Sequence, residues 1–265
     1  MSSSTKKAIL VVSFGTSYEE AKIRNIESIE KDLQTAFPDR KFYRAWTSKI
    51  IVAKLLKRDN LQIMNVAQAM EEMLADGITD LLIQPTHVID GHENNSVAQD
   101  IAKYKDKFQS IHLGAPLLGS HEDVMQMIEI ISSAFAPLLD KDEALVLMGH
   151  GTNHRVNPIY KELDDCFHAA GHENIYVGTV EAYPSLNDLI AIIKEHNYKK
   201  VCLSPFMIVA GDHARNDLAG DEEDSWKSIF QASGIAVQCV LKGLGEYPPV
   251  RALFIQHAKE AKELS

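Results

Sequence analysis

The chain has 265 residues and a mass of 29.5 kDa, and 45% of its residues are apolar and 24% charged. This composition argues against wholesale disorder, and the length predicts about two globular domains or one large one. Its 27 Lys and Arg against 37 Asp and Glu give a net charge of −10, which disfavours general binding to nucleic acids or to anionic membranes. A specific anionic ligand stays open, because a local basic pocket can lie within an acidic protein.

Short apolar segments alternate with longer amphipathic ones along the whole chain. The apolar segments are residues 8–14, 41–46, 80–85, 110–113, 143–148, 175–179, 200–204 and 236–241. They are rich in Val, Ile and Leu without clean alternation, which is typical of parallel strands that are buried on both faces. The regular strand–helix order therefore predicts an α/β fold with parallel sheets.

Several helices are marked by polar residues at their starts. Ser17, Ser120 and Ser185 each precede an acidic residue by three positions, which is the spacing of a capping box. Asn157 precedes Pro158, a pair that predicts an N-cap followed by proline at the first helical position.

The second part of the chain repeats features of the first. Residues 9–16 match residues 145–152, and the Gln-Pro and Gly-His-Glu of residues 84–93 match the Ser-Pro and Gly-Asp-His of residues 204–213. Because the two matches occur in the same order, they indicate an internal duplication.

We therefore predict two similar α/β halves, residues 1–137 and 138–265, each a four-stranded parallel sheet flanked by helices. The boundary is placed near the charged stretch at residues 140–143. Ligands of such sheets bind at the carboxyl ends of the strands, so we expect an active-site cleft between the halves.

The cysteine content and the lengths of the apolar runs indicate the cellular location of the protein. Three widely spaced cysteines form neither a CxxC motif nor an even set for a disulfide framework. The apolar run at residues 8–12 is too short for a signal peptide, and no run reaches the length of a membrane span. We expect a cytoplasmic protein with no membrane or nucleic-acid partner, and a homo-oligomer is left open.

Three ionisable residues follow three successive predicted strands of the second half. His150 stands between two glycines after residues 143–148, Glu181 follows the next strand, and His213 follows residues 200–204. Parallel strand ends converge, so two imidazoles and a carboxylate predict either a divalent transition-metal site or a proton acceptor near pH 7. A purely structural role is the alternative for each residue at this point. For Glu181, that alternative is a first-turn helix glutamate that complements the helix dipole.

Other site motifs are weaker or missing. Gly15 and Thr16 follow the first strand and predict an anion contact at a helix N-terminus. The spacing of dinucleotide and P-loop motifs is missing, and so is the GxSxG elbow, which disfavours a nucleotide site and a serine hydrolase.

Five segments together resemble one enzyme family, the anaerobic sirohydrochlorin cobaltochelatases of the CbiK type. They are residues 11–18, 148–151, 180–184, 203–213 and 224–227, in the family's order and across nearly the whole chain. The resemblance implies a class II tetrapyrrole chelatase with a fold similar to ferrochelatase. It also implies insertion of Co²⁺ into sirohydrochlorin without ATP or an organic cofactor, in anaerobic cobalamin biosynthesis.

The resemblance also implies roles for particular residues. His150 would be a metal ligand and the catalytic proton acceptor, with Glu181 and His213 completing the metal site. The tetrapyrrole, sirohydrochlorin or a precorrin-2-type ring, carries many carboxylates, so basic and strand-end residues are candidates to bind it. These candidates are Gly15, Thr16, Arg44, His92, Glu93 and Arg155.

Two alternative functions stay open on the residues alone. The ligand set does not separate Co²⁺ from Fe²⁺ or Ni²⁺, so a chelatase for sirohaem iron or for nickel is one alternative. A non-catalytic carrier of metal or tetrapyrrole is the other, although a carrier would not need a proton acceptor. A periplasmic-type binding protein is disfavoured because the sequence shows no export signal.

Overall fold

In the computed structural model, which describes residues 5–264, the strands form two sheets that are parallel except for one antiparallel pair. The strands are β1 (Lys7–Ser13), β2 (Lys41–Trp46), β3 (Asp80–Pro85), β4 (Ser110–Leu113), β5 (Glu143–Gly149), β6 (Ile175–Thr179), β7 (Lys200–Pro205), β8 (Ala236–Cys239) and β9 (Lys262–Glu263). The predicted strands agree with β1–β8 to within two residues at each end, so the apolar runs identified them correctly.

Helices separate the strands in chain order. They are α1 (Glu19–Ala21), α2 (Ser28–Ala36), α3 (Lys49–Asp59), α4 (Val66–Ala75), α5 (His92–Ala102), α6 (His121–Phe135), α7 (Ile159–Ala169), α8 (Leu186–Glu195), α9 (Trp226–Ala232) and α10 (Pro248–Lys259). Two π-helical turns also occur, at Lys22–Glu27 and Ala214–Leu218.

The first sheet has the order β2-β1-β3-β4-β9 and the second the order β6-β5-β7-β8. All neighbours are parallel except β9, which pairs antiparallel with β4. The predicted α/β class and the four parallel strands of each half are confirmed. The fifth strand of the first sheet was not predicted, because two charged residues carry no apolar signal.

The central strands explain why the apolar runs do not alternate. Residues Ala8 to Val12 of β1 are fully buried, and every residue of β5 is buried. Helices therefore cover both faces of each sheet, and the functional side chains are confined to the strand ends and the loops that follow them.

The chain forms two compact units, one made of the residues up to Gly119 together with those from Gly245 onward, and the other of Ser120–Leu244. The predicted halves 1–137 and 138–265 differ from this division in two ways. The second unit begins at Ser120 instead of residue 138, and the segment from Gly245 onward belongs to the first unit. Helix α6 joins the second unit because it packs against α7, and α10 joins the first because it packs against α2 and β3. Arg251 of α10 donates to Asp32 of α2 at 2.6 Å.

The predicted helix starts were right at two positions and wrong at two. The hydroxyl of Ser120 accepts from the Asp123 amide, and Ser185 forms a complete capping box with Asp188. Ser17 caps no helix, since α1 begins after Tyr18 without a side-chain cap. The predicted cap at Asn157 is also wrong, because its side chain bonds to Thr152 and Tyr183 instead.

Within residues 5–264, no helix has the length and apolar character needed to cross a membrane. The cytoplasmic location and the oligomeric state stay predictions.

Candidate functional site

His150 follows the last residue of β5, in a loop whose path depends on glycines on both sides. A Cβ atom on Gly149 would lie 2.4 Å from Tyr160 Cε1 of α7. Gly151 has φ +79°, and a Cβ there would lie 2.8 Å from Thr179 Cβ of β6. The Gly-His-Gly sequence is therefore required by close packing of the backbone, which leaves the His150 side chain 45% exposed.

Substitution of Gly151 by alanine is expected to lower the free energy of unfolding by about 2 kcal/mol, from left-handed backbone strain together with the clash at Thr179. Gly171 is a matched control, because it has φ +87° but a Cβ added there would meet nothing within 4 Å. Urea unfolding should show a smaller loss in Gly171→Ala. Equal losses in the two variants would show that the contact with Thr179 contributes nothing.

The loop that carries Glu181 is tied directly to the His150 loop. The Glu181 amide donates to the His150 carbonyl at 3.0 Å. The Asn157 side chain joins the same two loops, since its oxygen accepts from the Thr152 amide at 3.0 Å and its nitrogen donates to the Tyr183 carbonyl at 2.8 Å. These bonds occupy the side chain that was predicted to cap α7, and that helix begins at Ile159 after Pro158, which provides no side-chain cap.

His150, Glu181 and His213 lie together at the carboxyl ends of β5, β6 and β7. His150 Nδ1 is 3.7 Å from Glu181 Oε2, and the rings of His150 and His213 are 4.6 Å apart between centroids, at 89°. They approach one another in pairs, since among residues 5–264 no three His, Cys, Asp or Glu side chains are grouped to hold a metal ion. Their predicted roles as metal ligands stay predictions.

Each imidazole has one ring nitrogen placed against an oxygen atom. His150 Nδ1 is 2.9 Å from the Gly151 carbonyl, and His213 Nδ1 is 2.5 Å from Asp217 Oδ2. Because these oxygens accept hydrogen bonds, the contacts assign the proton of each neutral ring to Nδ1. Both Nε2 atoms then carry a lone pair that can bind a cation or a proton.

Asp217 was not predicted as a site residue. It stands four positions after His213, and this spacing was the available signal, since residues four apart share a helical face. Tyr160 and Thr179, which shape the glycine loop, gave no signal because their partners are distant in sequence.

In the first unit, Gly15 and Thr16 have structural explanations of their own. Gly15 has φ +103°, and a Cβ there would lie 2.5 Å from Cε3 of the Trp46 ring. Thr16 is buried and its hydroxyl accepts from the Tyr18 amide at 3.3 Å. Their predicted contact with an anion stays a prediction.

Arg44 is held by carboxylates of the helical segment that precedes β2. Its Nε donates to Glu30 Oε1 at 2.7 Å, its Nη2 bonds the other Glu30 oxygen, and Glu27 lies 3.6 Å away. The Glu30 side chain is only 2% exposed. Burial raises the pKa of Glu30, and Arg44 opposes this rise. The guanidinium therefore stabilises the first unit, and its predicted role toward the substrate stays a prediction.

The remaining predicted contacts are on the surface. His92 and Glu93 are exposed in the first turn of α5, and Arg155 is exposed in the loop that follows His150. Near α5, His87 was not singled out from the sequence. Burial lowers the pKa of His87 to about 4, against the opposing influence of Glu93 and Asn94, so this imidazole is neutral at pH 7.

The fold defines the class. SirB from Bacillus subtilis, in a structure with Fe³⁺, superposes with a TM-score of 0.65 at 13% identity, covering 97% of this chain and 95% of that one. CbiX, described as the terminal enzyme of siroheme biosynthesis in denitrifying bacteria, has a TM-score of 0.58 at 15% identity over 98% of this chain and all of its own. The protein therefore has the chelatase fold.

The sequence narrows the class to one family. The family model for the cobalt chelatase CbiK matches residues 7–263. A sirohydrochlorin cobaltochelatase of Salmonella typhimurium is 40% identical over 260 residues, 98% of both chains. Sirohydrochlorin cobaltochelatase CbiKC of Nitratidesulfovibrio vulgaris is 28% identical over 97% of this chain and 91% of its own. The chain belongs to the CbiK cobalt chelatase family, as its motifs predicted.

Proposed function

We propose that this protein inserts Co²⁺ into sirohydrochlorin without ATP, as a step of anaerobic cobalamin biosynthesis. The observation that carries the proposal is 40% identity to a sirohydrochlorin cobaltochelatase over 98% of both chains. The paired histidines at the carboxyl edge of the second sheet supply chemistry that suits this reaction.

Metal insertion exchanges one cation for two protons. Sirohydrochlorin has two protonated ring nitrogens, so Co²⁺ enters as two N–H protons leave and the ion sheds its water ligands. A protein that assists must bind the ion through ligands that it can give up, since a closed cage would retain the metal. The Nε2 atoms of His150 and His213 are neutral donors suited to Co²⁺.

His150 is the proposed first proton acceptor. Its Nδ1–H donates a hydrogen bond to the Gly151 carbonyl, so Nε2 can accept a proton from a pyrrole nitrogen of the tetrapyrrole. The imidazolium that forms would lie 3.7 Å from the Glu181 carboxylate, whose charge stabilises it. In this proposal Glu181 has two uses, since the same charge attracts the incoming cation.

Arg155 is the proposed contact for the substrate's carboxylates in the second unit. It is exposed and stands five residues beyond His150. Gly15, Thr16, Arg44, His92 and Glu93 belong to the other unit. Of these, Arg44 has its charge offset by Glu30 and Glu27, so it contributes less to anion binding.

The proposal is tested by following the absorption of sirohydrochlorin anaerobically with Co²⁺, with and without the protein and without ATP. We expect the protein to accelerate cobalt insertion above the spontaneous rate. Parallel reactions with Fe²⁺ and Ni²⁺ give the metal preference, which we expect to favour Co²⁺. A rate with Co²⁺ equal to that without protein would refute the proposal.

A further inference from the structure

The ring of His213 is held by a carboxylate. Asp217 belongs to the π-helical turn Ala214–Leu218, which starts directly after His213, and its Oδ2 is 2.5 Å from His213 Nδ1. Turns of this type are frequent at functional sites. The two side chains are 37% and 43% exposed, so the hydrogen bond, rather than packing on all sides, fixes the orientation of the imidazole.

The two histidines of the site therefore have different acceptors on Nδ1. His150 donates to a neutral carbonyl, that of Gly151, whereas His213 donates to a carboxylate. A carboxylate acceptor fixes the tautomer and the ring orientation, which strengthens the opposite ring nitrogen as a metal ligand. A carbonyl fixes the tautomer with a smaller electronic effect. His213 is thus built as the stronger donor to a cation, and His150 as the weaker one.

We propose that Asp217 is a positioning residue that makes His213 the ligand that retains Co²⁺ while His150 is released. On release, the bond from His150 Nε2 to the ion is replaced by a bond from a ring nitrogen of the tetrapyrrole. The proton of that ring nitrogen passes to His150 Nε2. The identity of the substrates rests on the proposed function, but the contribution of Asp217 to metal affinity does not require the tetrapyrrole.

The first test measures binding of CoCl₂ alone to the full chain by calorimetry and by visible absorption. Asp217→Ala should raise the Kd for Co²⁺ about 10- to 100-fold, the usual cost of losing such a partner. Asp217→Asn should lose less, since its amide oxygen still accepts from Nδ1. The control is Asp221→Ala, which removes a carboxylate paired with Lys227 at 2.5 Å and should leave the Kd unchanged.

Thermal unfolding establishes that the variants are folded. Kinetics then distinguishes a loss of metal positioning from a non-specific loss of activity. With sirohydrochlorin present, Asp217→Ala should raise the KM for Co²⁺ by a larger factor than it lowers kcat. An unchanged Kd for Co²⁺ in folded Asp217→Ala, or an equal loss in Asp217→Asn, would overturn the proposal. If the wild-type chain failed to accelerate cobalt insertion while Asp217→Ala still weakened Co²⁺ binding, the proposed function alone would fail.

Discussion

Replacement of His150 by alanine is expected to abolish cobalt insertion, with a loss of at least about 100-fold in kcat. The change removes the side chain proposed both as an Nε2 ligand of Co²⁺ and as the first proton acceptor, whose ring lies 4.6 Å from that of His213. The measurement is the initial rate of cobalt insertion into sirohydrochlorin at saturating Co²⁺.

Folding should survive this change, because the His150 side chain is 45% exposed and the packing of the loop depends on its glycines. His121→Ala is the matched control. His121 is an exposed histidine of α6 in the same unit, and its Nδ1 lies 3.6 Å from Glu162 Oε1. The control should retain wild-type activity. Undiminished turnover in His150→Ala would remove this residue from the mechanism.

Replacement of Arg44 by methionine is expected to cost about 3 kcal/mol of unfolding free energy at pH 7, because it leaves the buried Glu30 carboxylate without its cation. Urea unfolding gives the value. Arg24→Met is the control, since Arg24 pairs with Glu20 and both side chains are about 60% exposed. Its loss should stay below about 0.5 kcal/mol.

The loss in Arg44→Met should depend on pH in a defined direction. Burial already raises the pKa of Glu30, and removal of Arg44 takes away the main influences that lower it. When the pKa of a carboxyl group is higher in the folded than in the unfolded state, the folded state loses stability as the pH rises above the unfolded-state pKa. The loss of unfolding free energy in Arg44→Met should therefore become smaller as the pH falls toward 4. Adding Glu30→Gln to Arg44→Met should recover part of the loss at pH 7. A deficit independent of pH would contradict the assignment.

The sequence predicted those parts of the structure that depend on local patterns. Runs of Val, Ile and Leu marked β1–β8, and the positions of His150, Glu181 and His213 after strands placed them at one edge of a sheet. Strand β9 has only two charged residues and no such pattern. Its pairing with β4 is a contact between the end of the chain and a distant strand, which no local signal reveals.

The errors concern side chains with competing partners. Asn157 is a good N-cap residue, but its amide instead joins the Thr152 and Tyr183 loops. The ion pair of Arg44 with Glu30 was missed, because Glu30 lies on a helix whose rotation the sequence does not specify, while the role of Arg44 toward the substrate stays a prediction. Which partner such a side chain selects depends on tertiary geometry. The pair of His213 and Asp217, by contrast, could have been predicted from the four-residue spacing of a helix.

Multiple turnover distinguishes a cobalt chelatase from a carrier. Sirohydrochlorin and Co²⁺ are supplied anaerobically in large excess over the protein, without ATP, and cobalt-sirohydrochlorin is measured over time. We predict many equivalents of product per protein chain, formed faster than in the absence of protein. Product formation that stops at one equivalent per chain would show a carrier, and formation at the spontaneous rate would show that the protein does not act on the reaction; either result excludes the proposed catalysis.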